Sequence, residues 1–368
     1  MAHDDQQAEQ SAQAEQAPLS TPSTASALEF GLDTFGDVTA DASGTPLPHA
    51  QVLRNLVDQG VLADQVGIDL IGFGEHHRAD FAVTTPEVVL AAVAAKTSRI
   101  HLGSAVTVLS SDDPVRVFQR FSTLDALSNG RAEVTLGRGS FTESFPLFGF
   151  ELSDYEVLFE EKLDLFAAVR SQHPVTWSGT TRAPLTNQSV FPPVENGLLK
   201  TWVGVGGSPE SVVRAARYGF NLALAIIGGE PSRFAPFVDL YHRALDQFEL
   251  PRQQVAVHSP GHIAATDEEA REQLWPHYQA LMNRIGRERG WSPMGRGHFE
   301  QEIRSGSLYV GSPETVAQKI AATAKTLGID RFDLKYGNGG LSHENLMTSI
   351  ELYGTQVIPR VRELLADA

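Results

Sequence analysis

Leu70-Ile71-Gly72-Phe73-Gly74-Glu75-His76-His77 is a short apolar run that ends abruptly in an acid and two imidazoles. A run of this length, broken by glycine, suits a buried strand better than a core helix. Upstream, from about Ala50 to Val66, Val52, Leu53, Leu56 and Val57 recur at helical spacing and stop before Gly67. Downstream, Thr85-Pro86-Glu87 puts a polar cap ahead of a first-turn proline, where the missing N–H is harmless. Strands are expected likewise at Phe30 to Thr34, Leu70 to Gly74, Ile100 to Val106, Ala132 to Leu136, Thr201 to Val205, Leu222 to Ile226, Val255 to Ile263 and Phe332 to Tyr336, each followed by a helical segment. Asp113-Pro114, Ser208-Pro209-Glu210 and Ser312-Pro313-Glu314 repeat the cap where strand feeds helix. Eight such units predict an α/β fold, a (β/α)8 TIM barrel of parallel strands with its reactive groups at their C-terminal ends.

The repeat runs through 28–368 as a single barrel domain. Two stretches exceed it: His173 to Lys200, rich in Pro, Thr and Asn, and an insertion at about 264–310 after strand 7. The second holds an amphipathic helix, about Asp267 to Arg289, then a Gly-rich tail through Gly290, Gly295, Gly297 and Gly306. An insertion in a βα loop lies on the active face, so it is a candidate lid or a packed decoration. Residues 1–27 are polar, with no apolar run, and the first basic side chain is Arg54. This predicts a disordered tail and argues against a signal or transit peptide.

A chain of 368 residues with 42% hydrophobic and 20% charged residues is ordinary for a globular enzyme. The net charge of -16 argues against nucleic-acid or anionic-membrane partners, and any phosphate it binds needs a local solution. With no cysteine, disulfides, thiolate metal sites and cysteine nucleophiles are excluded, and a cytoplasmic location is permitted. No apolar run reaches transmembrane length.

Glu75 and His76 arrive at the catalytic end of a strand whose glycines let something large approach the backbone. A metal site is the rival reading, but Glu75 and His76 alternate faces on a continuing strand and no helical Glu-His motif accompanies them. A hydrogen-bonded structural histidine is the other alternative for His76, and more so for His77. Gly204-Val205-Gly206-Gly207-Ser208-Pro209-Glu210-Ser211 ends a strand and opens a helix, leaving backbone donors and a positive helix end for a phosphate. The second Gly-Ser-Pro-Glu, at Gly311 to Glu314, shows that the pattern can also be a mere cap. The first has two extra glycines. A Rossmann reading is weak, because the glycines fall in the fifth unit and no acid ends the next strand. Neither a nucleophile elbow nor a Walker lysine occurs. Asp333 and Lys335 alternate with Phe332, Leu334 and Tyr336, so the charged pair is expected to face the barrel interior as a structural ion pair or, less simply, to deliver protons.

Gly103-Ser104-Ala105-Val106-Thr107-Val108-Leu109, Asp113-Pro114-Val115-Arg116, Leu124-Asp125-Ala126-Leu127-Ser128-Asn129-Gly130-Arg131 and Leu136-Gly137-Arg138-Gly139-Ser140-Phe141 occur in an order and spacing that resemble the bacterial luciferase-like flavin oxidoreductases. The likeness is greatest to the branch using flavin mononucleotide (FMN). It resumes at Trp202 to Gly219 and from Val310 to Asp330. It implies a flavin ring over the barrel mouth, lined by Ala105, Val106, Thr107 and Arg138, and a phosphate on Gly206, Gly207, Ser208 and Ser211. It also implies a non-prolyl cis peptide within Ser104 to Val106. One departure stands out: relatives often carry a basic side chain on the fourth helix near the phosphate, where this chain reads Asp154-Tyr155-Glu156.

The resemblance further implies a monooxygenase that takes reduced FMN and oxygen to an unidentified small organic substrate. His76 would hydrogen-bond the oxygen-derived group or move its proton, Glu75 would orient its neighbours, and Arg138 would hold the ring's negative charge. Reduced flavin would come from a separate flavin reductase, and no metal is called for. The alternatives are a deazaflavin-dependent hydride transferase on the same barrel and a non-catalytic flavin-binding protein. A homodimer is expected, from the resemblance and from apolar surface at Val88 to Ala95 and Val117 to Leu127 beyond what one barrel flank needs.

Overall fold

In the computed structural model, which describes residues 28–41, 43–139, 141–171 and 173–366, the strand Glu29–Thr34 (β1) runs parallel between Leu70–Phe73 (β2) and Arg331–Lys335 (β8). The tail at 1–27 and Ser140 lie outside the described residues. From β2 the sheet continues through His101–Ser104 (β3), Ala132–Gly137 (β4), Lys200–Val205 (β5) and Asn221–Ala225 (β6) to Val255–Ile263 (β7). Pairing of β7 with both β6 and β8 closes the ring, so the fold is the (β/α)8 barrel. Helices cover its outside, and Phe30, Ile71, Leu102, Val134, Val203, Leu222 and Val257 bury their side chains against them.

The barrel interior is lined by the alternate residues, and many carry charge. Arg331 on β8 pairs with Glu133 on β4 at 2.5 Å and with Asp333 at 3.1 Å, and its guanidinium lies 4.0 Å from the Trp202 ring. Asp333 and Lys335 do both face inward, as expected, but not as partners of each other. Lys335 Nζ instead approaches Asp37 at 3.6 Å and donates to the Gly337 carbonyl.

Strand 3 departs from the expected continuous run. It ends at Ser104, the Ala105–Val106 peptide is cis, and the chain resumes as the two-residue strand Thr107–Val108 beside Leu136 and Gly137. Glycines make room for this bend. A Cβ on Gly72 would stand 3.1 Å from Ala105 Cβ, one on Gly137 2.5 Å from Val106 Cγ2 and one on Gly204 3.1 Å from Val106 Cγ1, while one on Gly74 would strike the Ala105 carbonyl oxygen. The glycines that interrupt the second strand are therefore packing requirements of the third.

Other differences are local. The helix expected from about Ala50 spans His49–Gln65. Asp113, Ser208 and Ser312 each accept a backbone N–H at their helix starts, whereas Thr85 makes no side-chain cap bond. The stretch from His173 forms a hairpin of Val175–Trp177 with Leu185–Gln188. In the insertion after β7 the helix Asp267–Arg289 is present, but the Gly-rich tail is largely a second helix, Arg296–Arg304, then a short strand, Tyr309–Gly311, on the end of β7. The long helix closes on the loop after β2, where Arg78 meets Glu288 at 2.8 and 2.5 Å and Arg284 meets Asp80 at 2.7 Å. The apolar surplus inferred for pairing is mostly internal: Val89, Leu90, Val93, Val117, Phe118, Phe121 and Leu124 are buried within the subunit, and Val88 and Leu127 are exposed.

Candidate active site

His76 leaves β2 into a buried aromatic box. Its ring meets Phe35 edge-on at 4.8 Å, Phe81 at 4.7 Å and Phe141 edge-on at 4.9 Å. Its backbone N–H is spent on the Val83 carbonyl, and Nδ1 lies 3.2 Å from Glu143 Oε1. A carboxylate at neutral pH only accepts, so Nδ1 carries a proton and Nε2 is the nitrogen left for other work. Burial works against the Glu143 charge, but the hydrogen bonds from His76 and from the His77 N–H outweigh it and hold the carboxyl below its ordinary range.

Glu75 turns the other way. Its Oε1 accepts the Val108 N–H at 3.0 Å, and its own N–H donates to the Val106 carbonyl, so this residue staples both sides of the bend after β3. The carboxylate borders a side cavity of about 320 Å³ shared with His77, Arg120 and Lys162, which His76 does not line. His77 packs on Phe148 and belongs to that side.

The bend itself presents Ala105, Val106 and Thr107 at the strand ends, and Thr107 Oγ1 is buried without a partner among the described residues. Beside it, Gly206 and Gly207 face open space, with nothing within 4 Å of where a Cβ would stand, and Gly207 has a φ of +118° that side chains rarely adopt. Ser208 caps the helix Pro209–Arg217 by accepting the Ser211 N–H. The second Gly-Ser-Pro-Glu differs at this point. There Asp267 accepts the Ser312 N–H at 2.7 Å and the Thr315 hydroxyl at 3.1 Å, and its carboxylate fills the space beside Gly311. At one helix start a carboxylate from the helix Asp267–Arg289 takes the position an anion would use; at the other the Ser208 hydroxyl donates to Glu210 at 2.7 Å, while the space beside Gly206 and Gly207 is open.

Arg138 donates to Glu156 at 2.7 Å with Tyr155 5.4 Å from its guanidinium. Glu156 also meets Arg214 at 3.7 Å, and Arg214 Nη1 reaches the Ser211 hydroxyl at 3.4 Å. Arg214 pairs chiefly with Glu160, so the two arginines beside the loop are already matched by Glu156 and Glu160. No local motif marked the cation on the helix after β5, and Glu143 went unmarked too. So did Asp33, whose Oδ2 lies 2.7 Å from His258 Nδ1 across the mouth. These partners are 67 and 225 residues apart from the histidines they hold, a distance that no local motif spans. Among the described residues no group of His, Cys, Asp and Glu is arranged to hold a metal, and no helix is long and apolar enough to cross a membrane.

Similar proteins share this frame. The uncharacterised protein y4vJ of Sinorhizobium fredii is 25% identical over 92% of this chain and 99% of its own. The N-acetyl-S-alkylcysteine monooxygenase of Bacillus subtilis is 30% identical over 61% of this chain and 66% of its own. Among solved structures, the oxygenating constituent of the 3,6-diketocamphane monooxygenase of Pseudomonas putida, a type II Baeyer-Villiger enzyme in complex with FMN, superimposes with a TM-score of 0.72 at 19% identity, covering 91% of this chain and 99% of that one. An F420-dependent secondary alcohol dehydrogenase gives a TM-score of 0.70 at 16% identity over 91% and 99%. The profile of the luciferase-like monooxygenases matches residues 29–331, the span from β1 into β8 that builds the bend, the open loop and the His76 box. The chain belongs to the luciferase-like monooxygenase family.

Proposed function

We propose that this protein is a flavin monooxygenase of the cytoplasm, working as a homodimer, that accepts reduced FMN from a separate reductase and uses oxygen to oxidise a small organic substrate. The observation that carries the reading is the contrast between the two helix starts. The space beside Gly206 and Gly207 is open, with Arg138 and Arg214 nearby, whereas the matching space beside Gly311 is filled by Asp267. That opening, the glycine whose backbone excludes side chains and the partnerless Thr107 hydroxyl are what a phosphorylated ring cofactor at the mouth would use.

Reduced FMN, when bound, supplies the two electrons with which oxygen is activated. The chain does the rest. Gly206, Gly207, Ser208 and Ser211 would donate to the phosphate, with Arg138 and Arg214 offsetting the negative charge of an acidic protein. Contact of Arg138 with the ring, rather than with the anion, would require it to swing from Glu156. Val106, wedged between Gly137 and Gly204, would support the ring with Ala105 and Thr107. Glu75 fixes that support by holding Val108. His76, with Nδ1 committed to Glu143, would offer Nε2 as the group that accepts or returns a proton in a site from which Phe35, Phe81 and Phe141 exclude water. Spectra and mass of the copurifying cofactor, with titrations of FMN and a deazaflavin, test the assignment: submicromolar FMN binding with weak deazaflavin binding is expected, and the reverse preference makes the protein a hydride transferase.

A further inference from the structure

Flavin binding and proton handling by His76 leave one polar pair in the mouth without a task. His258 projects from β7 and Asp33 from β1, and their Nδ1 and Oδ2 atoms lie 2.7 Å apart. Asp33 is 1% exposed, and its other oxygen, Oδ1, has no hydrogen-bond partner among the described residues, so much of this buried negative charge is left to the imidazole. The carboxylate accepts the Nδ1–H and leaves Nε2 as the unengaged nitrogen, while 15% of the His258 side chain stays exposed. Phe35 stands between the two imidazoles. Its ring lies 6.3 Å from His258 at 27° and presents an edge to His76 at 4.8 Å.

A neutral imidazole backed by a buried carboxylate is a base whose protonated form is stabilised in place. Outright proton transfer to it is favourable from an acidic hydroxyl, whereas an ordinary aliphatic alcohol gives up its proton only in concert with bond formation. The surroundings on the His76 side are aromatic, with Phe35 and Phe141 edge-on and Phe81 tilted against the imidazole, and Lys335 lies 4.8 Å over the Phe35 ring. An aromatic ring carrying a hydroxyl satisfies both features, and loss of its proton enriches the ring carbons that an electrophilic oxygen attacks.

We propose that His258, positioned by Asp33, is the base for the substrate hydroxyl and that the substrate class is a phenol. The step is a proton transfer: the phenol O–H bond breaks, an N–H bond forms at His258 Nε2, and the resulting phenolate lies beside an imidazolium neutralised by Asp33. This rests on the monooxygenase reading for its place in a reaction, but not for its test.

The test uses 4-nitrophenol and the full-length protein without added flavin, at a pH where the free probe is mostly protonated, and reads the phenolate absorbance band. Wild-type protein is expected to bind the probe and raise the band, and 4-nitroanisole, which lacks the hydroxyl, is expected not to displace it. His258→Gln keeps a polar side chain without a base and is expected to weaken binding about tenfold and abolish the band. Asp33→Asn is expected to reduce the band with a smaller loss of binding. No phenolate band with wild-type protein, an equal band in His258→Gln, or displacement by 4-nitroanisole as strong as by a second phenol overturns the proposal. FMN affinity, measured separately on each variant, is expected to be unchanged, so failure of the flavin reading is seen apart from failure of this one.

Discussion

His76 Nδ1 lies 3.2 Å from Glu143 Oε1, and this one contact fixes which imidazole nitrogen is free to handle a proton. Replacing Glu143 by Gln removes the charged acceptor while keeping the shape. The expected outcome is loss of the single Nδ1–H tautomer in nitrogen NMR spectra of His76, with a stability cost of about 1 kcal/mol and FMN affinity within about twofold of wild type. An unaltered tautomer would show that packing in the aromatic box alone orients the ring.

Gly207 separates a phosphate role for the loop from a scaffold role. Its φ of +118° strains any side chain, and the space beside it is open. Gly207→Val should weaken FMN binding about tenfold or more and leave riboflavin binding nearly unchanged, because the two ligands differ by the phosphate. Equal losses in parallel titrations would assign the loop to barrel support.

Glu133 sits wholly inside the barrel, and its carboxyl is pulled down to about 2 from 4.5 because Arg331 and Lys200 outweigh the effect of burial. A depressed folded-state value means stability that is present above pH 4.5 and is lost as the pH falls toward about 2. Asp333 has the opposite sign: burial, Asp33 and Glu133 push it up to about 6 despite Arg331, so its contribution is present below 3.8 and is lost as the pH rises through 6. Glu133→Gln leaves Arg331 short of a partner and should cost about 3–5 kcal/mol at pH 7. Denaturant melts from pH 7 to pH 2 should show a shallower acid limb in the variant, and equal slopes would contradict the assignment.

The eight strands were legible because each is an apolar run set off by caps and glycines, and Val255 to Ile263 matches β7 at both ends. Strand 3 was misjudged for a physical reason. Within Ile100 to Val106 only the resemblance points to a cis peptide, and the room for the bend comes from Gly72, Gly74, Gly137 and Gly204, which lie on or next to three other strands. The helix Arg296–Arg304 was hidden because glycines flank and enter it, while Phe299 and Ile303 bury enough area to form it. Of the candidate site groups, Glu75, His76, Arg138 and the glycine loop lie in local motifs that a sequence displays. Glu143 beside His76, Arg214 beside Ser211, and the pair Asp33 and His258 do not, since only barrel closure and the return of distant helices bring them together.

The helix Asp267–Arg289 makes its latch through Arg78 and Glu288, whose side chain is 43% exposed. Such a pair contributes about 0–1 kcal/mol, so Glu288→Ala should barely change melting. Hydrogen exchange in the end of that helix and in the loop after β2 should nevertheless rise several-fold if the insertion opens as a lid. Unchanged exchange would make it a fixed decoration.

The central claim is that this chain binds reduced FMN and controls its reaction with oxygen through His76. Stopped-flow absorbance after mixing the anaerobic complex of protein and reduced FMN with oxygenated buffer tests it most directly. Oxidised flavin is predicted to return several-fold more slowly than from free reduced FMN. In His76→Ala the return should be faster, with more hydrogen peroxide released and FMN affinity and melting temperature preserved. Return of oxidised flavin at the free rate in wild-type protein, or identical traces for wild type and His76→Ala, would contradict it.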